Sequence, residues 1–321
     1  MFPFKAEFHD DELLVSYLGR VARLNGLPGL ADLLLDLGLD PAAFHSGDSE
    51  TIERLSVLLD VNPERAAARS FKKGLDEVCH ISGLLVADQH LLRGQFRVCP
   101  ACLRQDIGSE LNSSTAFHAY ARVVWSLIGV KCCPEHGLLL VYPPESGPPH
   151  EFSQCWEPWL LELLDGDLDQ PTESKGKFET YAARILRGES PPRAEFLAHL
   201  TLGDLGLAAE TFGLSDIHGA KWLRKAMTDG QMALAMDAGF DVLMGGEPTV
   251  NALFDRLRVA PGEPPDRPTG RYGQVYEWSR RGSGSGKNMV FLHKILALHI
   301  QNNWPLGPGD LGFSRKVTKR R

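Results

Sequence analysis

Two short stretches carry the clearest chemistry in this chain. "RVCPACL" at 97–103 and "KCCPEHG" at 131–137 share one Cys-Pro-x-(Cys/His) unit when the second is laid over the first. Cys99 then matches Cys133, and Cys102 matches His136. Each pair is spaced by two residues with a proline after the first cysteine, which suits a tight turn aiming two side chains at one ion. Two such knuckles supply three thiolates and one imidazole, the soft tetrahedral set of one structural zinc ion. With four protein ligands no position remains for water. Cys132 falls out of register with the repeat and reads as a small buried hydrophobe.

The elements that must hold these ligands read as a zinc module over 93–150. Between the knuckles, "STAFHAYARVVWSLIGV" has Phe117, Tyr120, Val124 and Leu127 or Ile128 at helical spacing, which predicts a helix across the site with Arg122 on its outer face. After His136, "GLLLVYPP" predicts a short strand stopped by two prolines. "PPESGPPHEFSQ" follows as a linker.

The chain has 321 residues, 43% hydrophobic and 23% charged, a globular balance with room for two or three small domains. No apolar run approaches the ~18 residues a bilayer span needs, and no secretory leader opens the sequence, so the expectation is a cytoplasmic protein with no membrane contact. Six cysteines, four of them between 99 and 133, suit reduced thiols gathered at a metal. A net charge of -7 excludes a broad basic coat for nucleic acid. Local basic patches stay open, including Arg315, Lys316, Lys319, Arg320 and Arg321 in the tail, which a solvated end explains equally well.

Upstream, residues 11–39 repeat apolar positions at helical spacing and predict two helices broken at "NGLPG". Residues 51–73 predict another pair joined by "DVNP", with Pro63 in a first turn. That pair reads either as a helix-turn-helix whose second helix presents Arg65, Arg69, Lys72 and Lys73 to a phosphate backbone, or as an ordinary helical hairpin. From about 155 onward the pattern is helical throughout. In it, "LAAETFGLSDIHGAKWL" places Ala209, Gly213, Leu214 and Ser215 as in a helix-turn-helix bend, but Gly219 stands where such motifs pack an apolar residue, which favours a structural hairpin. "GEPPDRPTGRYG" reads as a second linker, followed by helices near 272–280 and 288–300. The fold class expected is mainly α: an N-terminal helix-turn-helix-like domain (1–92), the zinc module (93–150) and a C-terminal all-helical domain (151–321).

Other chemistries fail on spacing. "RRGSGSGKNM" has Arg281 where a phosphate loop needs its first glycine, and no Ser or Thr follows Lys287. A redox reading of "CPAC" competes with the second knuckle. A zinc deaminase needs His-x-Glu upstream and its proline outside the cysteine pair. No nucleophile and base stand together, so a non-enzyme is expected.

With these features in order, the chain resembles the TniQ family, including TnsD-like members. "DELLVSYLGRVARLNGL" is similar to that family's Glu-Ser-Leu-x-Ser-Trp-Leu-x-Arg start, with Ser16, Tyr17, Leu18 and Arg20 in place. "FRVCPACLRQD", "YARVVWSLIGV" and "CCPEHGLLL" continue it, and "AGFDVLMGGEPTVNALFDRL" and "YGQVYEWSRR" extend it more weakly. Many members carry a further Cys-x-x-Cys finger after the His-Gly, where this chain offers only Cys155. The resemblance implies an adaptor in transposition. It would join a target-defining element, attachment-site DNA or an RNA-guided CRISPR effector complex, to an AAA+ ATPase regulator of the transposase, and could work as a homodimer. The rival is a zinc-containing helix-turn-helix transcription regulator that binds one operator without partners.

Overall fold

The computed structural model describes residues 4–74, 78–108, 116–143, 152, 162, 165–191, 197, 200–258, 268–281 and 290–303. The chain divides into two compact units, Met1–Pro191 and Pro192–Arg321. Both are mainly helical, and the one sheet among the described residues is small.

The first unit opens with α1 (Leu14–Leu24), α2 (Leu30–Asp36), α3 (Pro41–Ser46), α4 (Ser49–Leu59) and α5 (Pro63–Ala68). The two helices predicted over 11–39 are α1 and α2. Short polar caps start the next three. Asp40 accepts from the Ala42 amide, Asp48 from Thr51 and Asn62 from Arg65, with Pro41 and Pro63 in first turns where no amide donor is lost. Leu14, Leu18, Leu33, Leu34, Leu55 and Leu59 close one core between them.

The helix predicted to run to residue 73 stops at Ala68. Arg69 is the residue that ends α5, and Lys72–Lys73 form β1, which pairs with β2 (Val78–Ile81) at Lys72↔His80 and Lys73↔Cys79. β2 turns back into β3 (Leu84–Ala87) through Ser82 and Gly83, both at positive φ, the conformation a two-residue hairpin with native twist requires. The sheet draws the chain out of helix because the Leu14 and Ser82 amides bond the Arg69 and Ala68 carbonyls, docking the end of α5.

α6 (Pro100–Ile107) follows the first knuckle. Over the described residues 116–130 the helix expected across 114–130 is absent: the segment makes only 3-10 turns, Ala116–His118 and Val123–Ser126. Its backbone bonds go to distant partners instead. The Leu13 amide bonds Ala121 O, Val123 bonds Asp11 O, Leu92 bonds Ser126 O and Ile128 bonds His90 O. Residues 119–127 are buried without a break, so the segment has no solvent face for a helical stripe to oppose. Arg122, expected outside, is buried and held bidentately by Asp106 of α6 at 2.8 and 2.9 Å. The strand expected after His136 appears as single bridges, Cys132↔Leu139, Val98↔Val141 and Leu138↔Pro171. α7 (Lys177–Leu186) completes the unit.

The second unit holds α8 (Leu202–His218), α9 (Asp229–Met244), α10 (Glu247–Arg258), α11 (Pro268–Arg281) and α12 (Val290–Asn303). A capping box of Thr228 and Gln231 starts α9. α8 runs unbroken through Ala209, Gly213, Leu214 and Ser215, so the bend considered there is not formed. Those small residues serve a close crossing: a Cβ on Gly213 would stand 1.7 Å from Ala235 O, and one on Gly239 1.8 Å from Ala209 O. "AKWLRKAM" makes only a 3-10 turn at Arg224–Ala226. The first linker and the helix expected after Cys155 lie mostly outside the described residues; the Gly-Ser loop at 282–289 and the basic tail lie wholly outside them. No helix of the described residues is long and apolar enough to cross a membrane.

Candidate metal centre

Cys99 ends an extended segment and Pro100 opens α6, so Cys102 falls in the first turn of that helix and both sulfurs face one way. The second knuckle is a tight reversal. The Cys133 amide bonds Leu138 O at 2.7 Å, the Gly137 amide returns to Cys133 O at 2.9 Å, and Gly137 sits at φ +63, where a side chain would be strained. "CCPEHG" thus ends in the residue its turn demands.

These two turns bring Cys99, Cys102, Cys133 and His136 together, with their ligand atoms all within 4.8 Å of one another. His136 presents Nδ1, 3.6 Å from Cys99 Sγ, 3.3 Å from Cys102 Sγ and 3.6 Å from Cys133 Sγ; the Cys102 and Cys133 sulfurs are 3.5 Å apart. Ligands ~2.3 Å from a tetrahedral centre stand about 3.7 Å from each other, so the spacing matches one ion shared by four atoms. The three cysteines are buried and the histidine is half-buried. Left to protons alone, the sulfurs compete. Hydrogen bonds from Cys102 and Cys99 hold the Cys133 thiol down to about 2, while hydrogen bonding to Cys133 and Cys99, with burial, drives Cys102 upward. A divalent cation would take the place of those shared protons and let all three sulfurs ionise. The cluster can therefore hold one metal ion.

Cys132 is also buried, but its Sγ points away, 3.8 Å from Ser174 Oγ. Glu179 of α7, fully buried, accepts from the Lys131 amide at 2.9 Å and lies 3.5 Å from the Cys132 amide, bracing the strand that leads into the second knuckle. Sequence reading missed Glu179, which lies 43 residues beyond His136 with no motif to mark it.

The opening motif is a second buried polar centre. Arg20, 1% exposed, bonds Glu12 through Nε at 2.9 Å and Nη2 at 2.6 Å, and donates to the carbonyls of Phe117 and Glu7. Ser16 donates to Glu12 at 3.1 Å and accepts the Ala121 amide at 2.9 Å. The polar residues of the start thus tie α1 to the segment between the knuckles. Burial pushes the Glu12 carboxyl up to about 7, with Arg20 pulling against it.

The basic residues proposed for nucleic acid take different places. Arg65 stacks on Phe8, bonds its carbonyl and pairs with Asp10 at 3.0 Å. Arg69 is buried and bonds Asp10 O, Ser82 Oγ and, at 2.8 Å, Leu186 O. Lys72 and Lys73 are exposed, with Lys72 Nζ 2.9 Å from Ser49 Oγ. Arg315, Lys316, Lys319, Arg320 and Arg321 lie outside the described residues.

No curated protein matches the chain. The model of the TniQ family matches residues 3–140, a span that begins just before the Glu12–Arg20 network and ends just after the second knuckle. Over that span, which is less than half of the chain, the sequence is similar to the TniQ family, proteins associated with target selection in transposition.

Proposed function

We propose that this chain is a non-catalytic adaptor of transposition, which couples a target-defining element to an AAA+ ATPase regulator of the transposase, and that its four-ligand cluster holds one structural zinc ion. The observation that carries the reading is the TniQ match over the part of the chain that contains both buried polar centres. Three thiols and an imidazole are a donor set that zinc accepts without redox chemistry, and four protein ligands leave no open position for a reacting water. What zinc supplies here is stability: it locks two knuckles whose surrounding segment has few regular backbone bonds of its own.

The target-defining element is either attachment-site DNA or an RNA-guided effector complex. Lys72 and Lys73, exposed on an edge strand, and the tail residues Arg315, Lys316, Lys319, Arg320 and Arg321 are the proposed phosphate contacts. Arg65 and Arg69 make internal bonds, which weighs against a recognition helix at α5 and so against the operator-binding regulator. The sequence segments 1–92, 93–150 and 151–321 are proposed as a division of labour, and a homodimer as the working form in the cytoplasm. Purified chain mixed with an AAA+ transposition regulator from its own host should form a complex on gel filtration and bind random duplex DNA weakly. Tight binding to one duplex, with a loss of about 1–3 kcal/mol for a single base change and no ATPase complex, would overturn the adaptor in favour of the regulator.

A further inference from the structure

A small cleft of about 20 Å³ opens in the first unit beside the second knuckle. Asp11, Arg69, Arg122, Glu135 and Arg187 supply its charges, and Val123, Val124, Pro134, Ala183 and Leu186 its apolar wall. Its arginines are not equally satisfied. Arg122 is matched by Asp106, with Asp11 3.8 Å away. Arg69 is 8% exposed, yet its bonds through Nε and Nη1 go only to two carbonyls and a hydroxyl. The nearby acids are engaged elsewhere: Asp10 pairs with Arg65, and Asp11 accepts from Tyr120 at 3.0 Å. Among the described residues no carboxylate stands within ion-pair distance of Arg69. Asp11 and Asp10 act on Arg69 only from beyond that distance, and a buried guanidinium with no counter-ion in contact is costly. Arg187, half-exposed, follows directly on the Leu186 carbonyl that Arg69 bonds, and among the described residues its acidic neighbour is Glu189, 3.9 Å away.

We infer that this cleft receives the carboxylate of an acidic side chain from a partner polypeptide, seated between Arg69 and Arg187. The Arg69 Nη2 group and the Arg187 head supply the donors that a planar carboxylate takes bidentately. Two features select a single negative charge over a phosphate. Asp11 and Glu135 already line the wall and would repel a dianion more than a monoanion, and much of the remaining lining is apolar. Pro134 and Glu135 belong to the second knuckle, so the metal turn also shapes one side of the recognition cleft. The cleft is a property of this chain alone and goes beyond the adaptor reading, which stands or falls on other data.

The test is an NMR titration of the full-length zinc-loaded chain, following the arginine Nε–H signals, with a blocked pentapeptide Ala-Ala-Glu-Ala-Ala, its glutamine counterpart and inorganic phosphate as probes. The glutamate peptide should shift the Arg69 and Arg187 signals saturably in the millimolar range, and the glutamine peptide should bind at least about tenfold more weakly. Arg187→Gln, on a half-exposed residue, should weaken the glutamate peptide about tenfold with its melting temperature unchanged. No saturable shift, equal binding of the two peptides, an undiminished response in Arg187→Gln, or saturation by phosphate in place of the peptide would each overturn the inference. No transposition partner is in the tube, so failure here leaves the adaptor proposal untouched.

Discussion

At the scale of single residues, identity and geometry separate two neighbours that sequence presents side by side. Cys133 faces the cluster and Cys132 faces Ser174, so the zinc content of purified protein should fall from one ion per chain toward zero in Cys99→Ala, Cys102→Ala, Cys133→Ala and His136→Ala. Cys132→Ala should keep its ion; metal analysis that shows loss from Cys132→Ala and retention in Cys133→Ala would reverse the ligand set. Glu12 gives a second prediction. Its carboxyl is raised from 4.5 to about 7 by burial, so the folded chain holds a proton there that the unfolded chain has released. Stability from this group is therefore present at low pH and lost as pH rises from 4.5 toward about 7, by about 1.4 kcal/mol per unit at most. Denaturation of wild type and Glu12→Gln across that window should show the wild type losing ground as pH rises; parallel curves would contradict it. Glu12→Ala leaves the Arg20 guanidinium buried and unpaired, at a cost of about 3–5 kcal/mol. The clustering of Cys99, Cys102, Cys133 and His136 was legible in the sequence because a repeated spacing needs no knowledge of the fold. Glu12, Arg122 and Glu179 were not, since each is defined by a partner that the chain brings from far away.

At the scale of elements, helices with a solvent face were readable and fully buried segments were not. α1, α2 and α9 show apolar spacing or strong caps, whereas residues 119–127 are buried on every side and their spacing mimicked a helix they do not form. The β1–β3 sheet was missed for a related reason: its strands are two to four residues long, too short to show alternation. The small residues of α8 were read as part of a chain reversal, which is not there; they serve a close approach to α9 instead. The Gly213 and Gly239 approaches make a direct prediction. Gly213→Ala or Gly239→Ala drives a methyl into a carbonyl of the facing helix and should lower stability by about 1–3 kcal/mol or more, measured by urea melts. Unchanged midpoints would mean that α8 and α9 do not pack this closely.

At the scale of the whole molecule, the TniQ span and the first compact unit do not coincide: the family match ends at residue 140, while α7 and its Glu179, further on, brace the second knuckle. Glu179, beyond the matched span, is thus part of the candidate metal centre's support. Chelation of the metal should loosen this unit and leave the second largely folded, so limited proteolysis after chelator treatment should cut first within 1–191. Initial cuts confined to 192–321 would contradict that ordering. The central claim is that the chain works by joining partners. Its most direct test is to tag the chain in its native host, recover it without crosslinking, and identify what comes with it. The account predicts an AAA+ ATPase of a transposition system, together with either target DNA or an RNA-guided complex; recovery of one defined duplex and no ATPase would contradict it.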